Sequence, residues 1–160
     1  MSSPTVFLLL FGIGVIAGLR SLTAPSTASW VVYLRGASMH GSHFSFMNSL
    51  PAAIIFSILA VAELVNDKLP KTPSRTAAVP FAARIITGAL AGVTLAVAAA
   101  NFWLIGGILG ALGAVAGTYG GYLARTKTVK ALHAPDFVIA LIEDAIAIGG
   151  GILISLQLVQ

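Results

Sequence analysis

The sequence contains no cysteine and very few charged residues. Without cysteine, neither disulfide bonds nor thiolate metal sites can form. Lys, Arg, Asp and Glu make up only 9% of the 160 residues, whereas soluble domains usually carry about 25%. Hydrophobic residues account for 58% of the chain and its mean hydropathy is +0.97. This composition excludes a soluble surface and predicts an integral membrane protein with a single domain over residues 1–160.

The N-terminus lacks basic residues, and the chain has no stretch in which basic and aromatic residues alternate. Residues 1–5 contain no Lys or Arg, so we interpret the first apolar segment as a retained transmembrane helix rather than a cleaved signal. The net charge of +4 is typical of cationic loops beside a membrane. Because basic and aromatic residues are not interleaved, we expect the lipid bilayer as partner and no nucleic acid.

The apolar segments predict an all-α fold with about five transmembrane helices, since a helix needs about 20 mostly apolar residues to cross the hydrocarbon layer. Pro25 removes a backbone donor just after the first segment, so we expect that helix to be kinked or broken near it. Whether residues 24–35 form a separate half-helix is left open. The predicted spans cover residues 5–22, 51–67, 77–100, 102–123 and 135–158, with a further helical piece over 26–34.

The loops after the second and fourth predicted spans are basic, which favours the cytoplasmic side for both. The opposite loops contain Arg35 alone. With five spans, this bias predicts a cytoplasmic N-terminus and a C-terminus outside. The basic residues in or near the two loops are Lys68, Lys71, Arg75, Arg84, Arg125, Lys127 and Lys130.

Glycines recur at four-residue spacing in three predicted spans, and small residues at this spacing let helix backbones approach closely. They favour packing within one subunit, with a dimer interface or a ligand groove as the alternatives, and a homo-oligomer, a dimer first, is expected in either case. Residues 14–21 also align with residues 113–120. An odd number of spans separates the two segments, so the alignment is either a weak inverted repeat of the kind found in transporters or a chance match between two glycine-rich helices. The spaced glycines are Gly14, Gly18, Gly88, Gly92, Gly106, Gly110, Gly113, Gly117 and Gly121.

Arg20 lies inside an apolar region, in the segment Gly18-Leu-Arg-Ser-Leu-Thr-Ala-Pro. A charge at membrane depth costs about 3 kcal/mol or more and by default indicates a functional site. The five-span topology predicts an outer station for Arg20, near Ser21 and Thr23. There the backbone amides of the broken helix could hold an anionic group. The alternative is an arginine that reaches to the outer interface.

A second, inner station is predicted from polar residues that converge on the cytoplasmic third of the membrane. Glu63 and Asp67 share one helix face. Glu143 and Asp144 are adjacent, so only one of them is expected to face the same cavity. The set is either a cation or proton site with an arginine gate, or a static ion-pair network. Its members are Glu63, Asn66, Asp67, Arg84, Glu143 and Asp144.

Metal and catalytic chemistry have little basis in the sequence. His40 and His43 have a spacing that could ligate a metal, but no third ligand lies nearby. The chain shows no nucleophile–base pair, phosphate-cradling loop or zinc motif. We therefore expect no metal, no cofactor and no catalytic residue.

Three stretches and the glycine-rich fourth span resemble the bacterial membrane proteins filed as domain of unknown function 4126. The stretches are GLRSLTAP at 18–25, AELVNDKLPKTPSRT at 62–76 and IEDA at 142–145. The resemblance covers nearly the whole chain and implies a small multi-span protein of the bacterial inner membrane. It supports treating Arg20, Glu63, Asp67 and Glu143 as one set, and it implies no substrate.

The leading hypothesis is a transporter or channel for an ion or small solute. It is motivated by the number of ionisable residues at membrane depth in a chain with so few. A structural or partner-binding membrane protein is the first alternative, and a lipid-handling enzyme is the second. The path would be lined by the predicted site residues Arg20, Ser21, Thr23, Glu63, Asn66, Asp67, Arg84, Glu143 and Asp144.

Overall fold

The structure, a computed structural model, describes residues 3–39, 41–67, 74–132 and 136–160. Within these ranges the chain is helical and contains no strand, so the all-α prediction is confirmed. The elements are α1 (Ser3–Leu19), α2 (Thr23–Leu34), a 3-10 turn (Ser45–Met47), α3 (Leu50–Asn66), α4 (Ala78–Ala98), α5 (Trp103–Leu132) and α6 (Asp136–Leu158).

Three of these helices are long and apolar enough to cross a membrane, which supports a membrane protein. Two further apolar helices are shorter, so five crossings are not confirmed. The long apolar segments are Ala78–Ala98, Trp103–Val129 and Phe137–Leu158, and the shorter ones are Pro4–Leu19 and Leu50–Asn66.

The chain reverses direction between α1 and α2. Successive contacts show that α1 runs antiparallel to α6, whereas α2 runs parallel to α6. The two helices therefore form a hairpin with its tip at residues 20–22. The contacts that fix these directions are Gly12 with Ile154 and Ile16 with Gly150 for α1, and Arg20 with Asp144 and Thr27 with Gly151 for the tip and α2.

Pro25 explains why α1 does not continue into α2 as one helix. In a continuous helix the Pro25 ring would clash with the carbonyl of Ser21. Because α1 ends at Leu19 and α2 begins at Thr23, Pro25 falls in the first turn of a new helix, where a backbone N–H has no partner within the helix. The predicted break is confirmed, as a separate helix.

The hairpin places both ends of the described chain at one end of the bundle. We call this the terminal end; it holds the start of α1, the 3-10 turn and the end of α6. The basic end holds the hairpin tip and the α3–α4 and α5–α6 connections. The prediction placed the two termini at opposite ends, whereas the two described ends lie together, because the hairpin adds one reversal that a single kinked helix lacks. Which side of a membrane they face stays a prediction.

The predicted inverted repeat is also wrong. Gly14 packs near Gly110 and Gly18 packs near Thr118, so α1 and α5 run in the same direction. Two segments related by inversion would run in opposite directions.

Glycines bring the backbones of α1, α4 and α5 into direct contact. A Cβ added to Gly14 would lie 2.1 Å from the carbonyl oxygen of Gly110, and one added to Gly92 would lie 2.2 Å from that of Gly106. Real Cβ atoms essentially never approach closer than 3.0 Å. These glycines serve packing within one subunit, as the favoured interpretation holds, and they are not available for a dimer interface.

Helix α3 stands at the edge of the bundle. It begins after Ser49, whose hydroxyl accepts a hydrogen bond from the Ala52 N–H at 3.3 Å, with Pro51 in the first turn. It packs mainly against α2, where the Ser57 hydroxyl accepts from Trp30 Nε1 at 2.8 Å. Because α3 packs against α2 and only weakly against α4 and α5, a space remains between α3 and the α4–α5 pair at the basic end.

Candidate functional site

The hairpin tip leaves backbone groups of both helices without helical partners, and two charged side chains supply them. The carboxylate of Glu63 accepts from the N–H of Ser21 at 2.8 Å and from that of Leu22 at 2.7 Å. Arg84 Nη1 donates to the carbonyls of Gly18 and Leu19, both at 2.9 Å. An acid therefore caps the start of α2 and an arginine caps the end of α1.

Both caps agree with the helix dipoles, which favour an anion at a helix N-terminus and a cation at a C-terminus. The amides at the break were predicted to hold an external anionic group. They are instead occupied by the side chain of Glu63. Non-helical backbone at membrane depth is tolerated only where it is buried in protein or lines a water-filled cavity, and these two side chains meet that requirement.

Arg20 lies at the centre of the tip, with 0% of its side chain exposed. It pairs with Asp67 at the end of α3, and its Nη2 lies 2.6 Å from Asp144 Oδ1 on α6. The predicted outer station is therefore wrong, and so is an arginine that reaches to an interface. Because α2 returns the chain to the terminal end, α3 then runs toward the tip and ends beside Arg20. The two predicted stations therefore form one cluster.

A second group of ion pairs surrounds Glu143. Arg75 holds its carboxylate with two bonds, Nη1 to Oε1 at 2.5 Å and Nη2 to Oε2 at 2.9 Å. Arg125 Nη1 lies 3.4 Å from Oε2. Glu143 and its neighbour Asp144 are both buried and both paired, so both belong to the cluster, although only one of them was expected to face a shared cavity. Long arginine side chains reach both carboxylates although these diverge by about 100 degrees around the helix.

Arg75 and Arg125 were predicted only as loop charges and not as site residues. The pattern that places Arg125 on a helix is present in the sequence, because residues 122–132 contain neither Gly nor Pro. The fourth predicted span ended at residue 123, whereas α5 continues to Leu132. No pattern in the sequence locates Arg75 beside Glu143, because that contact joins residues 68 positions apart.

The cluster is electrically balanced, with four carboxylates against four guanidinium groups. Removing a single partner from such a buried set leaves an uncompensated charge, which costs far more than the pair itself contributes. The members are Glu63, Asp67, Glu143 and Asp144, opposed by Arg20, Arg75, Arg84 and Arg125.

A pocket of about 810 Å³ opens beside this cluster, between α3 and the α4–α5 pair. Charged and apolar side chains share its lining, so it presents both hydrogen-bonding groups and hydrocarbon to an occupant. The polar lining comprises Ser21, Glu63, Asn66, Asp67, Ser74, Arg75, Arg84, Arg125 and Thr126, and the apolar lining includes Leu22, Leu59, Ala62, Pro80, Ala83, Tyr122 and Val129.

The predicted site residues therefore divide into three groups. Five of the nine line the pocket, namely Ser21, Glu63, Asn66, Asp67 and Arg84. Three of the others, Arg20, Glu143 and Asp144, lie in the ion pairs behind it. Thr23 is buried at the start of α2 and does not line the pocket.

Replacement of Glu63 by Gln tests the capping role. Glutamine offers one oxygen where the carboxylate offers two, so one amide at the hairpin tip loses its acceptor at a cost of about 1–3 kcal/mol. We expect faster hydrogen exchange at the amides of Ser21 and Leu22. The Ala52 amide, capped by Ser49, is the internal control and should not change. Unchanged exchange at residues 21 and 22 in the folded variant would contradict the cap.

Metal binding finds no support in the described ranges, where no group of three or more His, Asp or Glu side chains is arranged to hold an ion. His40 lies outside the described residues, so its pairing with His43 is not tested. Lys68 and Lys71 also lie outside them.

Comparisons with known proteins leave the interpretation to the geometry of the site. No protein-family model, no curated protein and no solved structure matches this chain.

Proposed function

We propose that this protein is a transporter for an ion or small solute and that the transported substrate binds in the pocket at the basic end. The observation that carries the proposal is a pocket of about 810 Å³ whose lining includes five charged side chains at the broken end of two helices. Substrate sites of many secondary transporters are built around discontinuous helices in the same way. The five side chains are Glu63, Asp67, Arg75, Arg84 and Arg125.

A transporter fits better than an open channel, because the terminal end is packed with buried apolar side chains. Leu10 and Leu95 are fully buried there, in one cluster with Val32 and Leu158. Access from the basic end combined with closure at the terminal end is the arrangement of a carrier open to one side. Opening the other side requires a rearrangement, and α3 is the α-helix that packs least against the rest of the bundle.

The basic end would face the cytoplasm, since Lys and Arg are favoured there. Arg125 and Lys127 lie toward this end and Arg35 lies at the other. This orientation puts both termini outside. Helix α2 has 12 residues and spans about 18 Å, too short for a hydrocarbon layer of about 30 Å. The proposed topology is therefore a re-entrant α1–α2 hairpin followed by crossings of α3, α4, α5 and α6.

Two further predictions belong to the same proposal. The resemblance to the family filed as domain of unknown function 4126 supports a place in the bacterial inner membrane. Homo-oligomerisation, a dimer first, stays a prediction, and the glycines packed within the subunit no longer support it. Light scattering of the purified protein in detergent measures the oligomeric state directly.

Flux through proteoliposomes tests the transport function. Sodium, chloride, inorganic phosphate and leucine are the probes, and at least one of them should cross faster than in protein-free liposomes. Asp67→Asn, which alters the pocket lining, should reduce that flux at least about tenfold. Lys127→Gln is the control, because it removes one charge from the basic end outside the pocket. If no flux depends on Asp67, the transport function is contradicted.

A structural role is the second candidate, and one observation favours it. All four carboxylates of the cluster are paired with arginine, as in a network that ties the hairpin tip, α3, α4, α5 and α6 together. If Asp67→Asn lowers thermal stability and changes no flux, this structural role is supported instead.

A further inference from the structure

The charges of the pocket are segregated onto opposite walls. The α3 wall presents the carboxylates of Glu63 and Asp67. The facing wall, built from the segment just before α4, the start of α4 and the second half of α5, presents Arg75, Arg84 and Arg125. A ligand between the walls meets negative charge on one side and positive charge on the other.

Arg84 retains a donor that the protein does not use. Only 4% of this residue is exposed, and its Nε atom has no hydrogen-bond partner among the described residues. A buried donor without an acceptor is unfavourable. Arg84 also lines the pocket, so its guanidinium group adds positive charge to the wall that faces Asp67.

The ion pairs themselves restrict what can bind. A lone anion that takes an arginine from its partner leaves a buried carboxylate uncompensated, and a lone cation leaves a buried guanidinium in the same position. A ligand with one charge of each sign inserts between the walls and keeps every protein charge paired. The most exposed ionised groups among the pairs are Asp67 at 19% and Arg125 at 21%, one on each wall.

The geometry points to a zwitterion, with a primary ammonium group and a carboxylate or phosphate group, as the ligand of this pocket. Its ammonium group binds Asp67 on the α3 wall, and its anionic group binds Arg125 and Arg84 on the facing wall. The apolar lining at Leu59 and Val129 contacts an attached hydrocarbon portion. This inference rests on the proposed function and names the substrate class.

Three small molecules of nearly equal shape separate the zwitterion from its halves. Leucine carries both charges, 4-methylpentanoate lacks the ammonium group and 3-methylbutylamine lacks the carboxylate. In thermal unfolding of the purified full-length protein, leucine should raise the midpoint, because a ligand that binds only the folded state stabilises it. Each half should bind at least about tenfold more weakly, since one charged contact is worth more than 1.4 kcal/mol.

A lipid headgroup could supply the same chemistry, so a second measurement uses phosphatidylethanolamine against phosphatidylglycerol. Native mass spectrometry of the protein from mixed micelles shows which of the two lipids stays bound. Retention of phosphatidylethanolamine without a leucine shift identifies a headgroup as the source, and the converse identifies a free solute. Either result supports the zwitterion.

Variants on the two walls should separate the two charges. Asp67→Asn should weaken the zwitterion and leave 4-methylpentanoate unaffected or tighter, whereas Arg125→Gln should weaken both. Lys127→Gln lies on the same helix as Arg125, loses the same charge and should change neither. The ligand series on the unaltered protein remains decisive if a wall variant fails to fold.

Several outcomes overturn the inference. It fails if 4-methylpentanoate, 3-methylbutylamine or phosphatidylglycerol binds as tightly as the zwitterions, and it fails if neither leucine nor phosphatidylethanolamine binds. Its failure is distinguishable from that of the proposed function. If sodium or chloride flux depends on Asp67 but no zwitterion binds, the transport function is supported and the zwitterion ligand is contradicted. If a zwitterion binds but no flux is seen, the zwitterion ligand is supported and the transport function is contradicted.

Discussion

Replacement of Arg20 by Met is expected to lower the free energy of unfolding by about 3–5 kcal/mol, the cost of leaving buried charges without a partner. Arg20 is fully buried and pairs with Asp67 and Asp144 from two different helices. Methionine fills similar space but supplies no charge. Unfolding by sodium dodecyl sulfate in mixed micelles, followed by circular dichroism, measures the loss.

Two further variants show whether the loss comes from charge. Arg35→Met changes an exposed arginine at the end of α2 and should stay within about 0.5 kcal/mol of the unaltered protein. The triple variant Arg20→Met, Asp67→Asn, Asp144→Asn should recover much of the stability, because neutral groups then face one another. An Arg20→Met protein as stable as the original would contradict Arg20 as the centre of the cluster.

Replacement of Gly117 by Ala is expected to destabilise the protein by about 3 kcal/mol or to prevent folding. A Cβ at Gly117 would lie 2.3 Å from the carbonyl oxygen of Val15, a backbone atom that can move only if α1 and α5 separate. Separation of the two helices would also disturb the packing of Gly14 and Gly18, which continue the same contact along α1.

Gly120 is the matched control, one turn further along α5. A Cβ there would meet nothing within 4 Å, and alanine is a better helix former than glycine by about 1 kcal/mol. Gly120→Ala should therefore match or exceed the stability of the unaltered protein in the same unfolding assay. Equal stability of the two variants would contradict the close contact between α1 and α5.

The sequence predicts where the helices lie because each contains a long apolar run, although charged residues such as Glu63, Arg84 and Glu143 lie within them. Pro25 and the segment 20–22 predict a break, and the four-residue glycine spacing predicts close packing. Helix direction is not predictable in the same way. A break can bend a helix or reverse it, and that choice depends on contacts between residues far apart in sequence, such as Glu63 with the amides of Ser21 and Leu22.

One error in direction accounts for most of the other errors. A kinked first span that continued across the membrane would place Arg20 at the outer side, away from Glu63. It would also place the termini on opposite sides. Reversal at residues 20–22 brings Arg20 to the acids and joins the two predicted stations. The residue types of the site were predictable because charges at membrane depth are costly, whereas their partners were not.

The central proposal is that the pocket opens at a basic end in the cytoplasm and that both termini lie on the other side of the membrane. Cysteine labelling from each side of the membrane tests this proposal most directly. The protein has no cysteine of its own, so a single Thr5→Cys, Thr126→Cys or Gln160→Cys substitution gives a unique site. A membrane-impermeant maleimide should label position 126, in the pocket, from the cytoplasmic side alone. It should label positions 5 and 160 only from the opposite side. Labelling of positions 5 and 160 from different sides, or of position 126 from outside, would contradict the hairpin topology and the one-sided pocket.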